Sequence, residues 1–352
     1  MPSLEITKHE LTRLPADVAT ALGLLRRRYL AEHWPERSLP GVEASAIRFE
    51  RLWCHGAGAV WIAHHAEWGP VAYHLLVPRG KSASAACVLC VLPEARGRGI
   101  ARALLREGHS FSAAHGIAEM EAESSSLVPE GDMLLKRMGA VSQGRAHVYE
   151  GLISAVRDEV VRERSRLDET LGVRLEIHRK GHPEDDLAQL VHLKGFISTT
   201  YGHTPHDLSA ATAAVRRSDA LLAERGGSRL LVLAREQESG LVVGCAETVW
   251  WTDDPLAVYT WNLAVLERCR GRSLAGALNA ALLLEVPRTF PAVESIRLRL
   301  HESAHGLQAR CRRLGFNLHH TEGLWTVPEG SLADYLHGHR NPNDDDRGSH
   351  VG

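Results

Sequence analysis

The chain carries one short pattern twice: Arg96-Gly97-Arg98-Gly99-Ile100-Ala101 and, 174 residues later, Arg270-Gly271-Arg272-Ser273-Leu274-Ala275. Each copy follows an apolar run that is typical of a strand, Ala86–Leu92 or Val258–Leu266, and opens an Ala/Leu-rich stretch that is typical of a helix. A glycine-rich turn at a helix N-terminus lets the backbone approach an anion closely, with helix N–H groups directed at it. The repeat therefore predicts two phosphate-binding loops.

Two further landmarks indicate that the duplication runs the length of the chain. Leu4-Glu5-Ile6 recurs as Leu175-Glu176-Ile177, and Gly139-Ala140 recurs as Gly315-Phe316, at offsets of 171 and 176 residues. A tandem fold repeats its beginning and its end in the same order. We therefore expect one domain at residues 1–153, a linking helix at 154–172, a second domain at 173–330, and a tail at 331–352 that is disordered at its end.

Composition indicates a folded protein of the cytoplasm. Of the 352 residues, 44% are hydrophobic and 24% charged, the net charge is -2, and no basic block favours nucleic acid. The first ten residues are polar, and the longest apolar stretches are too short to span a bilayer. The six cysteines are typical of free thiols in a reducing compartment. We expect a monomer or homodimer without nucleic-acid or membrane partners.

The order of predicted elements is the same in both halves: a strand, helical sequence, three strands, the loop and its helix, a strand, a helix ending at glycine, and terminal strands. The motif Arg-x-x-Gly-x-Ala lies between a strand and a helix in this order of elements. The combination resembles the GCN5-related N-acetyltransferase (GNAT) family. The resemblance covers nearly the whole chain. The predicted layout is similar to that of mycothiol synthase and other actinobacterial tandem acetyltransferases. It implies an α/β (α+β) fold of two tandem GNAT domains, each a mixed central sheet flanked by helices.

The resemblance implies that all six residues of each loop bind the pyrophosphate of acetyl-CoA. It also implies that a backbone N–H near Val91 in the first half, or Val265 in the second, polarises the thioester carbonyl. The first loop matches the family pattern completely. The second departs from it at Ser273, where glycine is usual, and its N–H can serve a phosphate only if the side chain is turned aside.

A carboxylate stands among apolar residues in the second half, at Gly244-Cys245-Ala246-Glu247. Because the family commonly uses a carboxylate on a strand beside the cofactor strand as general base, we expect this role for Glu247, with a raised pKa if it lies in an apolar cleft. A glutamate facing solvent at a strand edge is the alternative. At the equivalent distance the first half offers Ala72-Tyr73-His74-Leu75, without a carboxylate. His74 is a second possible base, although a lone histidine on an apolar strand is more often a core residue.

The tyrosine that the family places four residues before the helix-ending glycine is replaced by Leu135 and by Cys311. Leu135 cannot donate a proton. The thiol of Cys311 can donate one to the leaving thiolate, with helix packing as the alternative role. Aromatic residues bracket Glu247 on the predicted strands, and we expect Trp250, Tyr259 and Trp261 to line the acceptor cleft unless they pack in the core.

His301-Glu302-Ser303-Ala304-His305 has the literal pattern of a zinc peptidase. The motif crosses a predicted strand-to-helix junction, and Cys311 stands where a third histidine would be expected. His301 and His305 also fall where the tandem relatives carry two asparagines near the pantetheine arm of the cofactor. We therefore expect these histidines to line the acceptor cleft, and no metal.

The sequence thus predicts an N-acetyltransferase that moves acetyl from acetyl-CoA to a primary amine of a small molecule, such as a specialised metabolite or an antibiotic. The amine attacks directly, Glu247 is the general base, and the chemistry lies in the second half. The first half binds acetyl-CoA or serves as a scaffold. The alternatives are a catalytically silent protein that binds acyl-CoA or a partner, and a zinc peptidase.

Overall fold

The computed structural model describes residues 4–12, 14–35, 42, 58–79, 83–156, 160, 172–200, 208–224, 226–252, 254–271 and 273–338, without the side chains of 194–200, 208–211, 214, 221 and 261. This part of the chain forms two compact units. Unit 1 consists of Met1–His147 and His320–Gly352, and unit 2 of Val148–His319. Within the same residues, no helix has the length and apolar character needed to cross a membrane.

The secondary structure alternates between strands and helices along the chain. In chain order the elements are β1 (Leu4–Glu10), α1 (Ala16–His33), β2 (Ala59–His65), β3 (Gly69–Pro78), β4 (Ser84–Val91), α2 (Ile100–Ala114), β5 (Glu119–Ser125), α3 (Pro129–Arg137), β6 (Val141–Leu152), β7 (Val173–His178), α4 (Leu187–Thr200), α5 (Leu208–Glu224), β8 (Gly227–Glu236), β9 (Val242–Trp251), β10 (Asp254–Val265), α6 (Leu274–Thr289), β11 (Ser295–His301), α7 (His305–Arg313), β12 (Asn317–Pro328) and α8 (Glu329–His337).

Unit 1 is built on strands in the order β1-β2-β3-β4-β5-β12. Its neighbours are antiparallel except for the parallel pair β4 and β5. Strand residues alternate between two faces, so β2 supplies Trp61 to the core under α2 and α8, and Ile62 to the core under α1. This alternation makes each face of the sheet apolar and leaves both to be covered by helices.

Unit 2 repeats this plan with the strand order β11-β10-β9-β8-β7. The pair β10 and β11 is parallel, and the other pairs are antiparallel. Along β9, Ala246 packs with α6 residues such as Leu278, whereas Cys245 packs with Leu190 and Leu193 of α4. The two faces of β9 therefore meet different helices, and this decides where its polar residue points.

The two units do not follow the expected boundaries at 1–153 and 173–330. The last strand of the second repeat, β12, pairs antiparallel with β5, from Glu322 opposite Ser125 to Pro328 opposite Glu119, and so completes the sheet of unit 1. Conversely, the end of β6 belongs to unit 2, where Tyr149 joins the core and Ile153 N–H donates to the carbonyl of Glu294. Each repeat thus gives strand residues to the other unit.

Most predicted elements are observed within a few residues of their expected bounds; two differ, and one is largely untested. The predicted strand pair that closes each half is one long strand, β6 or β12. The predicted tail at 331–352 begins with a helix, because α8 runs from Glu329 to His337 and buries Leu332 and Leu336. The predicted linking helix lies largely outside the described residues.

The packing of α2 on β3 gives a stability prediction. A Cβ atom at Gly108 would lie 2.6 Å from Nδ1 of His74, whereas a Cβ at Gly131 in α3 has Ser124 Cβ at 3.7 Å as its nearest neighbour. We expect Gly108→Ala to lower the free energy of unfolding by about 1–3 kcal/mol through overpacking. The control Gly131→Ala gains up to about 1 kcal/mol of helix propensity. Urea denaturation measures both, and equal effects would contradict the packing argument.

Candidate functional site

The two predicted phosphate-binding loops have the same backbone conformation. Each follows a 3-10 turn, Pro93–Ala95 or Glu267–Cys269, after which Arg96 and Arg270 share φ -66° with ψ near 155°. Left-handed residues follow at Gly97 and Gly271, with φ of 72° and 76°. The loops end in the left-handed N-caps of α2 and α6, Gly99 with φ 78° and Ser273 with φ 61°.

Ser273 is the one non-glycine residue with positive φ among the described residues. A left-handed conformation costs a residue with a side chain roughly 1–2 kcal/mol. The second copy therefore keeps the loop geometry of the first copy despite the change from glycine, and Ser273 carries the strain.

Both loops present backbone donors on an open surface. The first helical hydrogen bonds run from Ala103 N–H to Gly99 O and from Ala277 N–H to Ser273 O, so the N–H groups just before them precede the helical ladder. Among the described residues, a Cβ atom built on Gly97, Gly99 or Gly271 would meet no atom within 4 Å apart from its own chain neighbours. The space above each loop is thus free for an anion to approach the backbone.

The parallel strands part just before each loop. Pairing of β4 with β5 ends at Ala86 and Glu121, although β4 continues to Val91; pairing of β10 with β11 ends at Thr260 and Leu298, although β10 continues to Val265. This leaves a gap in each sheet that leads to the phosphate-binding loop.

The backbone of Val91 and Val265 faces these gaps. Leu92 N–H donates to Val71 O on the other neighbour of β4, and Leu266 N–H donates to Val243 O on the other neighbour of β10, both at 2.9 Å. Because N–H groups of consecutive strand residues point to opposite sides, the N–H groups of Val91 and Val265 point toward the parted strands. The two residues predicted to polarise a carbonyl therefore have suitably placed donors.

Arg96 braces the first loop against its strand. Its Nε donates to the carbonyl of Val91 at 3.1 Å, and its guanidinium pairs with Glu32 of α1 at 2.7 Å. Arg98, two residues later, lies with its guanidinium carbon 4.7 Å from the centre of the Trp68 ring. The arginines of the first loop are thus anchored at its rim.

Glu247 lies in the interior of unit 2, with 0% of its surface exposed. Asn262 Nδ2 donates to Oε1, Arg229 Nη1 lies 3.0 Å from Oε2, and His182 Nε2 also lies 3.0 Å from Oε2. Glu247 thus lies neither in an apolar cleft, the condition for a raised pKa, nor at a solvent-facing strand edge, the alternative. A buried carboxylate needs a counter-charge and donors, and both are present.

Asp219 of α5 completes the polar group. Its Oδ2 accepts hydrogen bonds from the backbone N–H and from Nδ1 of His182, at 2.8 and 2.7 Å, and its Oδ1 accepts one from Arg229 Nε at 2.9 Å. We call His182, Asp219, Arg229, Glu247 and Asn262 the Glu247 cluster. Asp219, with 23% of its side chain exposed, and Asn262 are partly exposed, whereas the side chains of His182, Arg229 and Glu247 are buried.

Four different elements and one turn bring the Glu247 cluster together. Asp219 comes from α5, Arg229 from β8, Glu247 from β9 and Asn262 from β10, where it is the direct register partner of Glu247. His182 lies in the turn after β7, beside Gly181 with φ 97°. A Cβ at Gly181 would lie 2.8 Å from Asp219 Oδ2, so glycine lets this turn approach α5.

The carboxylate of Asp219 is held ionised by its partners. Burial alone raises its pKa, but the hydrogen bonds from the ring and backbone of His182, with the charges of His182 and Arg229, outweigh burial and lower the pKa of Asp219 to about 2. Since Asp219 is an acceptor only, Nδ1 of His182 carries a proton. The ring of His182 is thereby oriented with Nε2 toward Glu247.

The strand registers identify the residues of unit 1 that correspond to Glu247 and Asn262. Val91 pairs with Ala72 as Val265 pairs with Gly244, so the partners Leu75 and Val88 take the places of Glu247 and Asn262. The corresponding position in unit 1 is therefore apolar. Its lack of a carboxylate agrees with the sequence, but His74 is the equivalent of Ala246, one residue earlier and on the opposite face.

His74 is a core residue of unit 1. Its ring is fully buried beside Trp61, Nδ1 donates to Leu104 O at 3.1 Å, and Nε2 accepts from the thiol of Cys87 at 3.5 Å. Burial lowers the pKa of His74 to about 4, although the bond to Leu104 opposes the shift. The alternative role of His74 as a base is not supported by this packing.

Cys311 and Trp250 do not lie with Glu247. By the alternation along β9, Glu247 faces α4 and α5 together with Cys245, whereas Cys311 and Ala246 share the core cluster on the other face. Burial raises the pKa of Cys311 to about 11. Trp250 packs against that same cluster and stacks on Phe290, with ring centres 5.7 Å apart.

Tyr259 is the predicted aromatic residue that shares the face of Glu247. It packs with Leu222 of α5, and its hydroxyl donates to Asp254 at 2.6 Å. Arg297 Nη1 contacts both Asp254 and that hydroxyl, so the phenol belongs to a second ion-pair group. The side chain of Trp261, like the whole of Arg272, lies outside the described residues.

The H-E-x-x-H motif at 301–305 spans the end of a strand and the start of a helix. His301 ends β11 and His305 begins α7, so the two rings do not share a helical face. His301 Nδ1 lies 2.8 Å from the hydroxyl of Ser303. Within the described ranges, no group of three or more His, Cys, Asp or Glu side chains could hold a metal ion.

Comparison with known proteins finds the fold of this chain in solved structures. No family model matches the sequence, and no curated protein matches it. A tandem GNAT protein from the clavulanic acid biosynthesis pathway has a TM-score of 0.75, with 20% identity over 93% of this chain and 99% of its own. The chain has a tandem GNAT fold. A GCN5-related N-acetyltransferase from Sphaerobacter thermophilus has a TM-score of 0.64 and 17% identity, over 92% of this chain and 96% of its own.

Within this GNAT fold, sequence reasoning missed four members of the Glu247 cluster. Arg229 precedes the apolar run Leu230–Leu233, and a charge at the inward position of such a strand needs a partner. That signal was available. His182 and Asp219 carry no comparable signal, because a turn and an amphipathic helix tolerate polar residues anywhere on their exposed sides.

The burial of His74 gives a pH prediction. The unfolded chain binds a proton at this histidine near pH 6.5, whereas the folded chain does so only near pH 4. The contribution of neutral His74 to the free energy of unfolding is fully present above pH 6.5 and is lost as the pH falls toward 4. We expect wild type to lose about 3 kcal/mol more than His74→Leu over this interval, measured as unfolding free energy against pH. Parallel curves would contradict the assignment.

The guanidinium of Arg229, the counter-charge in the Glu247 cluster, gives a stability prediction for unit 2. Arg229→Met leaves Glu247 and Asp219 without their guanidinium, and we expect a loss of about 3–5 kcal/mol in unfolding free energy. Arg216→Met is the matched control, because Arg216 pairs with Glu184 at the surface and its loss costs less than about 1 kcal/mol. Denaturant titration separates the two. Similar losses would exclude a special role for the buried charge.

Proposed function

We propose that this protein is an N-acetyltransferase that moves acetyl from acetyl-CoA to a primary amine of a small molecule, with the chemistry in unit 2. The observation that carries the proposal is the position of the Glu247 cluster. Glu247 on β9 pairs with Asn262 on β10, and β10 is the strand that leads to the gap and the second loop. The corresponding residues of unit 1 are apolar.

Acetyl-CoA supplies the acetyl group as a thioester, and the loop residues Gly97–Ala101 and Gly271–Ala275 would hold its pyrophosphate. Two observations support the fit: the matching left-handed turns with helix N–H groups, and the open surface over the glycines. In unit 2, Val265 N–H would donate to the thioester carbonyl, where negative charge develops.

Glu247 is the proposed general base. An amine attacks a thioester only when it is neutral, so a group in the site has to remove a proton from the ammonium form. The side chain of Glu247 is fully buried, and we place a bridging water between it and the acceptor. Arg229 and Asn262 fix the position of the carboxylate, so that the proton arrives at a defined oxygen.

The proton donor to the departing thiolate is not assigned to Cys311. Its high pKa suits a thiol that keeps its proton, and it lies on the face of the sheet opposite Glu247. Direct release of the thiolate, with a proton from water or from the attacking amine, meets the need without it.

The charge of the Glu247 cluster favours a cationic acceptor. When the ring of His182 is neutral, Asp219 and Glu247 set two carboxylates against the guanidinium of Arg229, an arrangement that attracts an ammonium group. The similarity to a tandem GNAT protein of the clavulanic acid pathway supports a small specialised metabolite as acceptor. We place the reaction in the cytoplasm.

Unit 1 is a candidate for binding without chemistry. Its loop is complete, whereas Leu75 and Val88 replace the polar pair of unit 2. A second candidate function follows: the whole protein binds acyl-CoA through unit 1 and is catalytically silent. This function predicts tight binding of coenzyme A with no acceptor consumed.

Thiol release from acetyl-CoA, measured across a panel of small primary amines, tests the proposal. We expect at least one amine to be acetylated, and Glu247→Gln to lower kcat by about 100-fold or more, because general base catalysis is worth that much. Glu285→Gln is the matched control: Glu285 is also buried and paired with arginines, Arg179 and Arg288, but lies on α6 outside the cluster. Binding of coenzyme A without acetylation of any amine would favour the silent protein.

A further inference from the structure

The contact between His182 and Glu247 requires a proton. Nδ1 of His182 donates to Asp219, so in the neutral ring Nε2 is an acceptor. It faces Glu247 Oε2 at 3.0 Å, and an ionised carboxylate oxygen is also an acceptor. Two lone pairs at that distance repel each other, whereas a proton between them makes a charge-assisted hydrogen bond. The observed geometry is therefore that of a pair that holds one proton.

The charges of the cluster agree with this count. With that proton on His182, two cations, His182 and Arg229, balance the two carboxylates of Asp219 and Glu247. Without it, the described members of the cluster carry one net negative charge. Burying net charge is costly, so the cluster has a place for one exchangeable proton.

We infer that His182 and Glu247 act together as the proton acceptor of the reaction, with Asp219 as the positioning residue that orients His182 and stabilises its charged form. The inference rests on the proposed function. The structure then corresponds to the pair after it has taken up a proton, and the pair must lose this proton before it can serve again.

The proton balance of one turnover is as follows. The pair, without its proton, takes one from the acceptor ammonium and leaves a neutral amine. The amine nitrogen forms a bond to the carbonyl carbon, the carbon–sulfur bond breaks, and the second amine proton ends on the thiolate. The proton held between Glu247 and His182 is released to solvent, with Asp219 at the exposed end of the cluster.

Among the described residues, the groups that contact this pair come from three neighbouring elements. Asp219 on α5 and Arg229 on β8 carry charge, and Asn262 on β10 is neutral. Removing the carboxylate of Asp219 changes the net charge of the cluster but leaves every described partner of Glu247 in place. Asp219→Asn keeps the size of the side chain and takes away its negative charge, so the charged form of His182 loses its support.

The test is the pH dependence of kcat/KM for the best amine, in wild type and in Asp219→Asn. We expect the acidic limb of the variant to move down by about 1–3 pH units, because an anion next to His182 is removed. We also expect kcat to fall at least 10-fold, while KM for acetyl-CoA stays within 2-fold. His182→Gln, which donates a hydrogen bond but holds no proton, should lower kcat in the same way.

Glu184→Gln is the matched control, because Glu184 joins the same segment of chain to α5 through Arg216 but at the surface. It should leave the pH profile unchanged. An unchanged acidic limb in Asp219→Asn, with Glu247→Gln inactive, overturns the paired acceptor and leaves Glu247 as base. A kcat of Glu247→Gln equal to that of wild type overturns Glu247 as the base, whereas wild type that acetylates no amine overturns the proposed function itself.

Nitrogen NMR of the histidine rings provides a readout that does not depend on turnover. The His182 signals, identified by their loss in His182→Gln, should report one proton on Nδ1 and a second proton that Nε2 shares with Glu247. They should shift in Glu247→Gln and in Asp219→Asn. Ring signals that are unaffected by Glu247→Gln would overturn the shared proton even if a variant proved too unstable for kinetics.

Discussion

The parallel strand pairs of this protein stop pairing before the strands end, and the rest of each unit depends on that constraint. A fully paired β4 would hide the backbone of Val91 against β5, and a fully paired β10 would do the same to Val265 against β11. Once the strands part, donors on the strand face a gap that ends at a loop built for an anion. The backbone thus supplies the general features of a site twice, before any side chain is considered.

Side chains then make the two units different. The same inward position holds Leu75 in unit 1 and Glu247 in unit 2, and the register partner changes with it from Val88 to Asn262. A buried carboxylate is unstable alone, so Arg229 and the cluster around it follow as a set. Duplication has left unit 1 as an apolar version of the site, with an intact loop, and unit 2 as the polar version.

The sequence was sufficient to predict what is local, and insufficient for what depends on distant contacts. The loops follow from glycine spacing down to their left-handed residues, and the polar position at Glu247 follows from its apolar neighbours. The face of a strand residue requires the exact register, so His74 was matched to Glu247 although it corresponds to Ala246, and Trp250 was expected beside Glu247 although it stacks on Phe290. His182 and Asp219 reach Glu247 from 65 and 28 residues away in the chain, a proximity that no motif encodes.

The exchange of closing strands has a consequence for synthesis. The strand β12 that pairs with β5 lies after unit 2 in the chain, so the ribosome delivers it only once unit 2 has been made. A nascent chain that has completed the first repeat still has an open edge on β5, and open edges invite wrong pairing. Domains usually fold in order as they emerge, but here the first unit cannot complete its sheet until unit 2 has been made. The chain contains two repeats of one domain, but the folding of unit 1 depends on a strand from the second repeat.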